Sequence, residues 1–191
     1  HIKHNVEQIR NLLPTTTDIM AVVKANAYGH GDRQVAEVAL GAGATSLAVA
    51  FLDEAIRLRQ AGIKVPILVL GSTRAEDSKV AVQYNISLNV HDIDWIGKAI
   101  AYLQEENIQQ PLNIHVKIDT GMGRLGIRNI KEMKEIEYML KNQDYIHLEG
   151  IFTHFSSADE LDLHKTQNQL LKIKDILDNM EYVPPYIHTS N

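Results

Sequence analysis

Ile19-Met-Ala-Val-Val-Lys24-Ala-Asn-Ala-Tyr28-Gly-His-Gly31 joins an apolar run to a lysine, several small residues, a tyrosine and two glycines. Ile19 to Val23 is apolar almost without alternation, which predicts a short strand buried on both faces. Lys24 then falls where that strand gives way to a loop. An ammonium is costly to desolvate, so burial there favours the neutral, nucleophilic amine that forms a Schiff base. The competing reading is a strand-end lysine whose stem lies along apolar surface while its ammonium reaches water.

Along the rest of the chain, short apolar strands alternate with amphipathic helices. His4 to Leu13 places Val6, Ile9 and Leu13 on one helical face. Asp32 can cap a helix that stops at Gly41 or Gly43. Strands are expected at 47–50, 66–72, 86–90, 112–119, 148–153 and from Pro184 onward. Between them, helices are expected over 53–61, 75–84, from the Asp92 cap, from the Asn129 cap, and over 161–180. In the last, Leu163, Leu170 and Leu177 are expected to face inward. This alternation predicts an α/β chain with a parallel sheet. No Gly-x-Gly-x-x-Gly follows the first strand, so a dinucleotide-binding sheet is not supported. Lys24, Arg124, His154 and Asn191 all fall at C-terminal ends of strands, where a (β/α)8 TIM-type barrel carries its chemistry. Seven strands are legible, so the barrel is expected to be incomplete, its eighth strand absent.

The bulk composition is that of a soluble globular chain. Its 191 residues, 45% hydrophobic and 23% charged, can bury a sizeable core. A net charge of -5 offers no basic face for nucleic acid. There is no cysteine, so disulfides and thiolate metal sites are excluded. No apolar run is long enough to span a membrane. The chain begins without methionine and stops inside a motif, so a longer parent is expected.

Three further positions invite chemistry. In the fifth strand Asn113, His115, Lys117 and Asp119 share one face. An inward lysine must be paired or modified, and an ion pair of Lys117 with Asp119 or another inward carboxylate is the simplest solution. Arg124 stands in the glycine-bracketed turn Gly121-Met-Gly-Arg-Leu-Gly126, where its planar fork suits a carboxylate or a phenolate oxygen. A loop arginine is otherwise a solvated surface residue. His154 ends the sixth strand; it reads alone as a satisfied core histidine, and no second ligand on its element supports a metal.

Four motifs in order resemble the fold-type III alanine racemases: Ala21 to Gly31, Lys117 to Gly126, Gly150-Ile-Phe-Thr-His-Phe-Ser-Ser-Ala-Asp159, and His188-Thr-Ser-Asn191. The resemblance implies that Lys24 carries pyridoxal 5'-phosphate covalently and that Tyr28 reaches its phosphate. It implies that Arg124 contacts the cofactor's phenolic oxygen and the substrate carboxylate. His154 would pack against the pyridine ring, and Asn191 would lie near the phosphate. In many members the lysine matching Lys117 is carbamylated, an alternative to the ion pair that would orient Arg124. No metal is implied.

The implied activity is interconversion of L- and D-alanine for peptidoglycan, in a cytoplasmic homodimer without nucleic-acid or membrane partners. Residues 1–191 would form most of the N-terminal barrel domain. The family's second acid/base group is a tyrosine of a C-terminal β-domain, expected to lie outside this chain. The isolated piece would therefore be inactive. Two alternatives share the barrel and the lysine: a pyridoxal-phosphate homeostasis protein without racemase activity, and a serine/alanine racemase domain fused to a membrane segment.

Overall fold

The computed structural model describes residues 1–190; Asn191 lies outside the described residues. In chain order the elements begin α1 (Ile2–Leu12), β1 (Met20–Val22), α2 (Lys24–Tyr28), α3 (Asp32–Gly41), β2 (Ser46–Val49), α4 (Leu52–Gln60) and β3 (Ile67–Val69). They continue with α5 (Ser78–Gln83), β4 (Ser87–Val90), α6 (Ile93–Glu105), β5 (Leu112–Ile118), α7 (Ile130–Lys141), β6 (Ile146–His154), α8 (His164–Asp178) and β7 (Tyr186–Ser190). Strand order follows chain order, and the recorded pairings are parallel. This is the topology of the (β/α)8 TIM-type fold with seven strands, hence incomplete. The chain divides into two compact units, one of residues 1–73 and 80–88, the other of 74–79 and the residues from 89 onward.

In the first unit β1 pairs with β2 through Met20↔Ser46, β2 with β3 through Leu47↔Ile67, and β3 with β4 through Leu68↔Ser87. Leu47, Ala48, Val49, Ile67, Leu68 and Val69 are buried on both strand faces. Each such Leu, Ile or Val contributes roughly 1.5–3 kcal/mol of burial. β1 departs from expectation: Met20 and Ala21 are half-buried and Val22 is exposed. Its recorded partner lies on one edge only, so it lacks the double cover of β2 and β3. Val23, just past the strand, is the buried residue. Arg59 of α4 staples the unit through four backbone carbonyls, those of Ile63, Val65, Tyr84 and Asn85, at 2.6 to 2.9 Å. Asp32 is not the cap of α3. Gly31 takes that position, and Asp32 enters the first turn with Oδ1 accepting from Arg33 N at 2.7 Å.

In the second unit β5 pairs with β6 and β6 with β7. Asp92 caps α6 by accepting from Asp94 N at 3.0 Å, and Ile96, Ala99 and Leu103 turn inward. Asn129 caps α7 by accepting from Glu132 N at 3.0 Å. In α8 the buried stripe is Gln169, Ile173 and Ile176, whereas Leu163 and Leu170 are exposed. The inward face is thus rotated from the leucine stripe, because the Gln169 amide has polar partners inside.

Candidate active site

Lys24 opens a five-residue turn in which Ala25, Asn26, Ala27 and Tyr28 all hold φ between 50° and 56°. Four successive non-glycine residues in the left-handed region cost about 1–2 kcal/mol each, so surrounding contacts must over-determine the turn. They do. Ala27 N donates to Val23 O at 3.0 Å, Gly31 N to Asn26 O at 3.0 Å, and Asp32 N to Asn26 Oδ1 at 3.0 Å. His30 Nδ1 meets Ala27 O at 3.0 Å, which gives that motif histidine a local structural role. The half-buried Lys24 places Nζ 5.9 Å from the centroid of the exposed Tyr28 ring. Gly29 closes the turn at φ 89°, and a Cβ built there meets nothing within 4 Å. An amine and a phenol side by side, with open space over the glycine, fit a group attached to the lysine whose phosphate reaches the tyrosine.

Glu54 reaches this turn from α4. It is 7% exposed, and its carboxylate accepts from Ala25 N at 2.5 Å, Ala50 N at 2.7 Å and Phe51 N at 2.9 Å.

In the second unit the loop after β5 folds back onto its own strand. Asp119 N donates to Ile127 O at 2.8 Å and Ile127 N to Lys117 O at 2.9 Å. Gly126 permits this: at φ 128°, an added Cβ would lie 2.6 Å from Asp119 N. Asp119 Oδ1 accepts from Gly121 N at 3.2 Å and Gly123 N at 2.9 Å, cinching the turn that presents the exposed Arg124. Asp119 is thus committed to backbone and to Arg128, 3.9 Å away. The expected Lys117–Asp119 ion pair does not form among the described residues. The 5%-exposed Lys117 instead holds Nζ 5.1 Å from the Phe152 ring centroid. Burial, then the Arg124 charge, push its pKa below the ordinary lysine range, only partly opposed by Asp119.

Below Lys117 the same strands carry a polar relay. Register slips between Ile114 and His115, so that Ile114 faces Leu148 while His115 faces Gly150, leaving Glu149 as the extra residue. Glu149 Oε1 accepts from Asn113 Nδ2 at 3.2 Å, and its Oε2 lies 3.0 Å from His115 Nε2. A carboxylate only accepts, so His115 Nε2 carries the proton. His115 Nδ1 meets His188 Nε2 at 2.8 Å. His188 stacks on Phe152 with centroids 4.8 Å apart, and its pKa is pushed down to about 3 by burial first, then by His115 and Lys117. Gly150 makes the space, since a Cβ there would lie 2.5 Å from His115 Nδ1.

His154, half-buried, is the last residue of β6, and its carbonyl accepts from Gln169 Nε2 at 3.0 Å. The same Nε2 donates to Thr120 Oγ1 at 3.0 Å, and Gln169 Oε1 accepts from Ser156 N at 2.9 Å. One buried amide therefore joins the loop after β5 to the loop after β6. No cluster of three or more His, Asp or Glu able to hold a metal ion occurs among the described residues. None of their helices is long and apolar enough to cross a membrane.

Parallel strands in chain order, with Lys24, Arg124 and His154 delivered at or beyond their C-terminal ends, define a TIM-type (β/α) domain whose candidate chemistry centres on a lysine. The family profile described as alanine racemase, N-terminal domain, matches residues 1–191, and the chain belongs to that family. An alanine racemase of Geobacillus stearothermophilus is 47% identical over 190 residues, covering 100% of this chain and 48% of that protein. A crystal structure of alanine racemase from E. faecalis superposes with TM-score 0.93 at 41% identity, over 100% of this chain and 51% of that one. The Bacillus anthracis alanine racemase with bound L-Ala-P gives TM-score 0.91 at 41% identity, over 98% and 49%. The chain thus spans about half the length of the curated relatives it matches.

The structure brings Lys24 beside Tyr28, and Lys117 into the electrostatic reach of Arg124. Sequence reading missed Glu54, Gln169 and the Glu149–His115–His188 relay. A glutamate three residues after Phe51, at a helix start, was a usable signal for Glu54. Glu149 had none, because strict alternation hides a bulge.

Proposed function

We propose that this chain carries the pyridoxal-phosphate-binding part of an amino-acid racemase acting on alanine, with residues 1–191 forming most of its N-terminal domain. The observation that carries the reading is Lys24 at the end of β1, held by a strained, over-determined turn beside Tyr28. Membership of the alanine racemase family supports it over the homeostasis alternative.

Lys24 would hold the cofactor, and its amine would serve as base and acid for one face of the substrate Cα. Tyr28 would bind the phosphate and His154 would pack on the ring; Asn191, to which the family motif gives a phosphate-side role, lies outside the described residues. Arg124 would take the substrate carboxylate and the cofactor's phenolic oxygen through its fork. The cofactor, when bound, supplies the electron sink for negative charge at Cα. The opposite face needs a second acid/base group, which we assign to a tyrosine of a C-terminal β-domain across a homodimer interface. The protein would work in the cytoplasm and supply D-alanine for peptidoglycan.

Lys117 is proposed to be carbamylated. Its lowered pKa favours the neutral amine; the nitrogen lone pair adds to the carbon of carbon dioxide, and one N–H proton leaves to water. The buried neutral amine becomes an anion that Arg124 can answer.

The test uses the full-length protein. Borohydride reduction followed by peptide mapping should find the cofactor on Lys24, and D-alanine should form from L-alanine faster than D-serine from L-serine. Cofactor on another lysine would overturn the assignment of Lys24, and an absence of racemisation would overturn the activity.

A further inference from the structure

Glu54 is an acid in a costly place. Its carboxylate is buried, and among the described residues no lysine or arginine lies within ion-pair distance of it. A buried anion without a cation must be compensated by hydrogen bonds. Here three backbone N–H groups do so. Two of them, Ala50 and Phe51, belong to the segment that leads into Glu54's own helix, where the helix dipole also favours negative charge. The third is different. Ala25 is 29 residues away in sequence, and its 2.5 Å contact to Oε1 is the shortest of the three.

Ala25 follows Lys24 directly. Its N–H belongs to the peptide plane that Lys24 enters, so fixing that N–H fixes ψ of Lys24 and the direction of its Cα–Cβ bond. Ala25 is also the first residue driven to positive φ, at 52°. Among the described residues, the other hydrogen bonds of residues 24–28 are made within residues 23–32, and Val23 N, just before them, donates to Ala48 O at 2.8 Å. Glu54 supplies an anchor from a different element, and a carboxylate accepting N–H is a stronger acceptor than a neutral carbonyl.

We propose that Glu54 is a positioning residue for Lys24: its buried carboxylate holds the Lys24–Ala25 peptide and so aims the amine. The inference rests on the reading of Lys24 as the cofactor-bearing residue, but its first readout does not depend on that reading. Glu54→Gln keeps the shape and turns one oxygen into a donor that faces N–H groups. Glu54→Asp keeps the charge and retracts it by one methylene, about 1.5 Å.

The experiment uses the full-length protein. Amide hydrogen exchange across residues 24–31 is followed without cofactor, and the rate at which added pyridoxal phosphate becomes borohydride-fixed on Lys24 is followed separately. In Glu54→Gln, exchange at 24–31 should rise at least ~10-fold, the scale of one charge-assisted hydrogen bond. Exchange across 119–127 should stay at the wild-type rate, and fixation on Lys24 should slow ~10-fold or more. Glu54→Asp should fall between, a partial rescue that simple loss of packing would not give; it also serves if Glu54→Gln does not fold. Unchanged exchange at 24–31 would overturn the proposal, as would faster exchange with a wild-type fixation rate. If wild-type protein fixes no cofactor on Lys24, the reading of Lys24 fails, and the exchange result alone decides whether Glu54 holds the turn.

Discussion

Gly150→Ala isolates the relay beneath Lys117. Gly150 has a φ outside the left-handed region, so alanine suffers no backbone strain there. What it adds is one methyl group, placed 2.5 Å from His115 Nδ1, 2.6 Å from Cε1 and 3.0 Å from Cγ. Contacts that short require the imidazole to move. His115 is 3% exposed, and its ring is stacked against Tyr186 at 6.1 Å and edge-on to His188 at 5.0 Å. A shift large enough to clear the methyl breaks the 3.0 Å contact to Glu149 and the 2.8 Å contact to His188. A hydrogen bond to a carboxylate contributes about 1.5–3 kcal/mol and a neutral one about 0.5–1.5. The expected loss is therefore roughly 2–4.5 kcal/mol, read as a lowered urea midpoint with an unchanged slope in the full-length protein. The control is a double-mutant cycle with His115→Ala. With the imidazole gone the new methyl has room, so the double variant should be about as stable as His115→Ala alone. Full additivity, or a Gly150→Ala variant within ~0.5 kcal/mol of wild type, would show that His115 yields easily and that Gly150 is not there to seat it.

Four other outcomes are expected. Arg124→Ala should lower turnover or substrate affinity ~10²-fold or more while shifting stability by less than ~0.5 kcal/mol, because the side chain is exposed; a large fall in melting temperature with normal kinetics would make Arg124 structural. His188, with its pKa near 3 in the fold against 6.5 for the ordinary group, is protonated first in the unfolded chain. Its linkage is absent above pH 6.5 and withdraws about 1.4 kcal/mol of stability per pH unit below it, so His188→Gln should lose less stability than wild type between pH 6.5 and 4, measured by urea unfolding. Gln169→Leu should leave Thr120, Ser156 and the His154 carbonyl without their shared partner, costing about 1–3 kcal/mol and accelerating exchange at 119–121 and 154–157 together; a change in only one loop would refute the bridge. Protein equilibrated with carbon-13 bicarbonate should show a carbamate resonance that Lys117→Arg abolishes, and a resonance that survives the substitution would place the carbamate elsewhere.

Patterning along the chain sets the order and type of the elements. Apolar runs at 47–49 and 67–69 are strands buried on both faces, and an unbroken apolar run records that burial directly. Asp92 and Asn129 were legible as caps, since capping is chemistry between neighbours. Lys24, Arg124 and His154 were legible as strand-end residues of a family motif, and Asn191 lies outside the described residues. What those residues touch depends on how distant segments pack. Lys117 could pair with Asp119 on paper, but the loop amides of Gly121 and Gly123 claim that carboxylate, and the lysine lies over Phe152. The leucines of α8 promised an apolar stripe, but an amide with partners in two loops turned Gln169 inward. Glu149 reached His115 through a bulge, and Glu54 reached Ala25 across 29 residues. Local patterning encodes which side of an element is apolar. The partner of a buried polar group is set by how distant segments meet, and that distance is not written in either segment.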